Sequence, residues 1–206
     1  MHWIAERRGV ARAAYARRVI RRAGIGILSL VVVAIAIWWF VPRDDQTPDP
    51  SPVTAQTMPA IPAMPADAFE MTVESVHDGD TLRAHVATPN AVVTATASIR
   101  VRLIGLDTPE ISPEPECWGA EATTSLTTLL PPGSTLWAAA DREVLDQYGR
   151  HLLYLWSADG TFVNAELIAQ GDGEVMIFAP NTLHESMFRS LEAEASAAGR
   201  GLWGSC

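Results

Sequence analysis

The chain has 206 residues, 48% of them hydrophobic, and carries 15 basic against 24 acidic side chains, for a formal net charge of −9. That composition excludes a disordered polyelectrolyte, and two cysteines exclude a disulfide-dense mini-protein and a four-thiolate zinc site. Spread evenly, the charge would also argue against a polyanion-binding surface, but all 15 basic residues are arginine and they are not evenly spread.

The first 43 residues hold eight arginines and a single acid, Glu6, whereas the other 163 hold seven arginines and 23 acids. Directly after Arg22 and Ala23 runs Gly24–Val41, 18 residues without a charge. As a helix it would span about 27 Å, close to the hydrocarbon thickness of a bilayer. Trp38, Trp39 and Phe40 stand at its far end, where aromatic rings favour the membrane interface. The alternative is a cleaved signal peptide. Its only A-x-A triplet, Ala34-Ile35-Ala36, runs on into Ile-Trp-Trp-Phe rather than a polar stretch, which favours retention. The pattern therefore predicts a basic cytoplasmic segment (1–23), a signal-anchor helix (24–41) and an extracytoplasmic remainder, with secretion after cleavage as the other outcome. Residues 42–68 carry seven prolines and read as an extended linker.

Residues 69–206 have the composition of one globular domain. Alternation in FEMTVESV, TLRAHVA and ATASIRVRLIGL predicts three strands. Trp118 to Leu130 reads as a helix stopped by Pro131-Pro132-Gly133. STLWAAA and HLLYLWS read as two more strands, and 162–170 and 183–198 have helical spacing. Five strands with interspersed helices predict an α+β design, a small β-barrel with helical packing.

Three polar clusters interrupt this pattern. His77-Asp78-Gly79-Asp80-Thr81 is by itself a tight turn. Arg102 sits in an apolar strand that ends in Asp107-Thr108-Pro109-Glu110, and a guanidinium in such a setting demands anionic partners. Asp146-Gln147-Tyr148-Gly149-Arg150 is a second turn leading into an apolar strand. Taken singly, each is structural. Together, Asp80 and Asp107 would suit a hard cation such as Ca²⁺. Glu110 could take a proton from water, and Arg102 with Arg150 could neutralise phosphate oxygens. That set is equipment for hydrolysing a phosphodiester.

The motifs DGDT (78–81), RLIGLDTPE (102–110), GAEA (119–122), DQYGR (146–150), VNAELIAQG (163–171), APNTLHES (179–186) and GLW (201–203) occur in that order. In them the chain resembles the staphylococcal nuclease (thermonuclease) family over about Met71 to Trp203. The resemblance implies an OB-fold barrel of five strands with three helices. It implies cleavage of DNA and RNA with little sequence preference, giving 3′-phosphate ends. It further implies that Asp80, Asp107 and the Thr108 carbonyl bind Ca²⁺, with Asp78 a carboxylate close behind them. Arg102, Glu110 and Arg150 match catalytic positions, Tyr148 matches a phosphate-contacting tyrosine, and Phe178 holds an aromatic place that can stack on a base. Two departures are plain: Gln147 stands where the family commonly has lysine, and Met176 and Phe178 replace two tyrosines. The reading from another class is a non-catalytic OB-fold binding module on a membrane anchor.

Residues 70–206 hold seven arginines and 19 acids, so DNA or RNA should be bound weakly. No protein partner is expected; the membrane would be engaged through 24–41. Outside a membrane, the isolated pair Cys117 and Cys206 is expected to form a disulfide. The histidines show no metal-ligand spacing.

Overall fold

The computed structural model of the chain describes residues 60–206. The expected basic segment, the anchor helix and the linker up to residue 59 lie outside the described residues. Among the described residues, no helix is long and apolar enough to cross a membrane.

Five strands form in chain order: β1 (Phe69–Val76), β2 (Thr81–His85), β3 (Ile99–Leu103), β4 (Thr135–Leu145) and β5 (His151–Ser157). They close into a barrel in the order β1-β2-β3-β5-β4. All neighbours are antiparallel except β3 and β5, which run parallel with Val101 beside His151 and Leu103 beside Leu153. Alternation explains the inside: Met71, Val73, Leu82, Ala84, Val101 and Leu103 are buried, with Leu136, Ala138, Leu153 and Leu155 from the last two strands. Each fully buried Leu, Val or Met contributes about 1.5–3 kcal/mol by leaving water.

The helices α1 (Gly119–Leu129), α2 (Val163–Gln170) and α3 (Glu185–Ala197) pack outside the barrel, and a single turn, α4 (Leu202–Ser205), follows. Helix α1 is rich in threonine, a weak helix former. The hydroxyls of Thr123, Thr124, Thr127 and Thr128 each donate to the carbonyl four residues back, so these polar groups stay satisfied within the helix. Helix α2 is buried on most sides, and it includes Asn164, which is fully buried. The Asn164 amide donates to Ile104 O at 2.9 Å and its oxygen accepts from Leu155 N at 2.9 Å, tying the end of β3 to β5. Helix α3 turns Met187, Phe188, Leu191 and Ala195 inward. Phe188 joins Tyr154, Phe162 and His184 in an aromatic cluster, and Trp156 stacks on Phe162 at 4.5 Å.

The expected elements are present, with three differences. The strand expected over 134–140 continues to Leu145, because Asn181 accepts the N–H groups of Arg142 and Glu143 and holds the polar stretch in place. The strand expected over 95–106 is confined to 99–103, since residues 95–98 fall in an open β2–β3 connection. The turn α4 was not expected. Cys117 and Cys206 are joined in a disulfide, with Cα atoms 5.9 Å apart and a sequence separation of 89. On the chain-entropy account, closing such a loop contributes about 4–5 kcal/mol.

Candidate active site

The centre of the site is Arg102 on β3, opposite Thr81 of β2 and beside Leu152 of β5. Only 11% of its side chain is exposed. Nη1 donates to the carbonyls of Leu103 (2.8 Å) and Leu106 (2.7 Å). Nη2 lies 2.7 Å from Asp107 Oδ1 and 3.0 Å from Asp80 Oδ2. The Leu106 carbonyl reaches back to Arg102 because the chain reverses at Gly105, whose φ of +90° suits glycine and whose missing Cβ leaves room for the Phe188 ring. A guanidinium held by two carbonyls and two carboxylates has a fixed orientation.

Asp80 is 6% exposed and accepts from the Thr81 hydroxyl (3.0 Å) and the Thr108 N–H (3.0 Å). Burial pushes its carboxyl up to about 6, and the neighbouring Asp78 adds to the rise, against the opposing pull of Arg102. Asp78, itself buried, accepts the Asp80 N–H at 3.1 Å. Between them Gly79 passes so close to Thr108 and Ala122 that a Cβ would lie 2.6 Å from the Thr108 hydroxyl and 2.8 Å from Ala122 Cβ. That contact seats the Asp78–Asp80 turn on the Asp107–Glu110 loop. Glu110 is exposed at the end of this loop. Partial burial raises its carboxyl above the usual range, and the charges of Asp78, Asp107 and Glu116 push the same way. Its backbone is clasped by Glu116, whose Oε2 takes the Glu110 N–H (2.8 Å) and whose N–H donates to the Glu110 carbonyl (2.8 Å).

Arg150 enters from the β4–β5 turn. Asp146 organises that turn: Oδ1 accepts from the N–H groups of Tyr148 (2.9 Å) and Arg150 (2.8 Å), and Oδ2 takes Arg150 Nε at 2.6 Å. Burial would raise the Asp146 carboxyl, but these hydrogen bonds from Arg150 outweigh it and hold it below its ordinary value. The Arg150 guanidinium also lies 5.6 Å from the centre of the Tyr148 ring. Among the described residues it meets a carboxylate only through Nε, which leaves its outer edge for a ligand.

These elements surround one cavity of about 460 Å³. Asp78, Asp80, Arg102, Asp107, Glu110, Tyr148, Arg150 and Phe178 all line it, so the expected site residues other than Thr108 and the cysteines meet there. Thr108 sits just behind, buried, with its N–H on Asp80. Phe178 and Tyr148 are 68% and 64% exposed, giving two aromatic faces at the rim. The segment carrying Phe178 is tied to the site loop by paired Asp107–Glu174 backbone hydrogen bonds of 2.8 Å. The cysteines lie apart from the cavity and staple the loop before α1. Sequence reasoning missed Asp146, which positions Arg150; its signal was an acid four residues before an arginine in a Gly-containing turn.

The donors around Asp80 are hard oxygens. No group of three or more His, Cys, Asp or Glu side chains is drawn together as a metal cage among the described residues. What the site offers is two carboxylates spanned by Arg102, with a further two, Asp78 and Glu110, close by. Burial is the main cause of the raised Asp80 and Glu110 carboxyls, and the neighbouring carboxylates add to it. Such a donor set fits a hard dication that completes its shell with water.

A closed five-stranded barrel with an arginine–carboxylate cleft at one end defines the class. The Staphylococcal nuclease homologue model matches residues 100–205, and the chain belongs to that family. Among curated proteins it is 27% identical over 158 residues to the endonuclease YhcR of Bacillus subtilis (strain 168), covering 72% of this chain and 12% of that protein. It is 32% identical over 106 residues to a thermonuclease of Staphylococcus intermedius, covering 50% of this chain and 62% of that protein. The chain thus spans less than two thirds of either relative.

Proposed function

We propose that the chain is a Ca²⁺-dependent nuclease that hydrolyses phosphodiester bonds of DNA and/or RNA with little sequence preference and leaves 3′-phosphate ends. The observation that supports this most is the convergence of Arg102, Arg150 and Glu110 on one cleft, each held by its own backbone or carboxylate contacts. A module that only binds would not need all three.

In this reading the scissile phosphate lies between the two guanidinium groups. Water attacks phosphorus in line with the 5′ oxygen, Glu110 takes the water proton, and the P–O5′ bond breaks as the leaving oxygen takes a proton from solvent water. Arg102 and Arg150 neutralise the charge that builds on the equatorial oxygens. The raised Glu110 carboxyl is a stronger base than a free glutamate and so suits the proton transfer. Tyr148 contacts a phosphate and Phe178 offers a face to a base. Ca²⁺, held by Asp80, Asp107 and the Thr108 carbonyl, would supply positive charge at a phosphoryl oxygen. The basic segment followed by an 18-residue apolar run supports tethering of the domain on the outer side of a membrane.

Digestion of single-stranded DNA by the full chain, with Ca²⁺ and with excess EDTA, tests the proposal. Fragments ending in 3′-phosphate are expected with Ca²⁺ and none with EDTA. Equal digestion in both would remove the metal from the reading, and no digestion with any divalent cation would favour the binding module.

A further inference from the structure

A second cavity of about 460 Å³ adjoins the first and shares Asp78, Glu110 and Arg150 with it. Its far side is formed by Arg83 of β2 and Arg100 of β3. The strand register sets these two arginines directly opposite each other, and both are exposed. Like charges in direct cross-strand apposition repel and weaken the pair. Among the described residues neither arginine makes a carboxylate ion pair, whereas Arg102, Arg150, Arg189 and Arg200 all do. Glu74 of β1 feels the charge of Arg83, but its carboxylate is engaged by His85 at 2.9 Å.

Arg100 is also directed toward the site. Its Nη2 donates to the Tyr148 carbonyl at 2.6 Å, which places a full positive charge against the turn that carries Tyr148 and Arg150. Gln147 brings no charge to that turn. Four of the seven arginines in residues 70–206 therefore line two connected cavities in a domain that is otherwise strongly acidic. An arginine pair with no direct carboxylate contact beside a phosphodiester cleft has the chemistry of an anion site.

We propose that Arg83 and Arg100 form an outlying phosphate subsite, which binds a backbone phosphate of the nucleic-acid strand adjacent to the one held by Arg102 and Arg150. This rests on the nuclease reading for the identity of the strand. Phosphate-only contacts add affinity without sequence preference and concentrate it on one face of an acidic domain. The acidic remainder repels other registers of the strand.

The test measures binding of fluorescein-labelled dT12 by anisotropy, in Ca²⁺ and across a salt series. The full chain carries Glu110→Gln so that the probe survives. Adding Arg83→Gln and Arg100→Gln should weaken binding about five- to tenfold and make the log–log salt slope shallower by roughly 0.7, the release expected for one single-strand phosphate contact. Arg83→Lys with Arg100→Lys should retain most of the slope, because charge is kept. Equal melting temperatures confirm folding, and Arg100→Gln alone, expected to cost about threefold, serves if the double variant does not fold. Unchanged affinity and slope in the glutamine variants overturn the subsite. The unsubstituted chain is assayed separately for cleavage of dT12. Cleavage with unchanged binding in the variants removes the subsite alone, while weakened binding without wild-type cleavage removes the nuclease reading alone.

Discussion

Around Phe188 and around Arg102 the protein is closed to water to nearly the same degree, with exposures of 0% and 9%. In the first region Phe188, Tyr154, Phe162 and Trp156 meet ring against ring, and removing them from water is itself the stabilising event. In the second, burial opposes charge: it lifts Asp80 to about 6 and raises Glu110, and the charge of Arg102 with the Thr108 and Thr81 hydrogen bonds on Asp80 offsets part of the desolvation. The aromatic end stabilises the fold. The charged end is tolerated because the fold holds it in place.

The comparison is sharpest where a change at the charged end leaves the fold intact. Glu110→Gln should lower turnover about 10²- to 10⁴-fold. Its melting temperature should be equal or slightly higher, since one member of a repelling carboxylate group becomes neutral. Initial rates on single-stranded DNA beside thermal unfolding check this, and unchanged turnover would exclude Glu110 as the base. At the aromatic end the effect reverses. Phe188→Ala should cost about 3–5 kcal/mol of stability in urea titration, with near-wild-type turnover at temperatures where the variant remains folded.

The smallest effect concerns pH. Burial depresses His184, against the opposing charge of Asp141, and depresses His151 as well. Both are neutral in the folded and unfolded chain above about pH 6.5, so their contribution is fully present there. As pH falls below 6.5 the unfolded chain takes up protons first, and stability is lost until the folded groups titrate too. The raised carboxyls act in the opposite sense, so the difference from a His184→Gln variant is the measurement. Between pH 7 and 5 the wild type should lose roughly a few tenths of a kcal/mol more than the variant, after allowance for solvent screening.

Much of this was legible in the sequence because β1 and β2 alternate, β5 is a short apolar run, and Arg102 is an arginine in an apolar strand, which requires partners nearby. Of the carboxylates found beside it, Asp107 follows on the same segment as the sequence suggests, while Asp80, read as a metal ligand rather than a partner of Arg102, comes from the turn before β2. Other features depended on three-dimensional register. The outer half of β4 is polar and looks like a loop, yet Asn181, some forty residues on, fixes its backbone. Arg83 and Arg100 face each other through the β2–β3 register, which is set across a connection (86–98) pinned by buried Val86 and Val93 and by Asn90 Oδ1 accepting the Val92 and Val93 N–H groups at 2.8 Å. No alternation pattern specifies how two strands align across such a connection.

The parallel seam between β3 and β5 has a consequence for how the protein folds. The β1–β2 and β2–β3 pairs are antiparallel and closed by local turns or one connection, whereas Val101 must find His151, fifty positions away. Long-range parallel pairing is slow because the loop must be closed before any contact rewards it. Arg102 lies on one side of that seam and Arg150 at the head of the other strand, so both come into a single cleft only as the barrel closes. The β1–β2–β3 strands carry Arg102, with Asp80 in the turn before β2, but not Arg150. The arginine pair is thus assembled in the same event that completes the fold, and partly folded chains lack it.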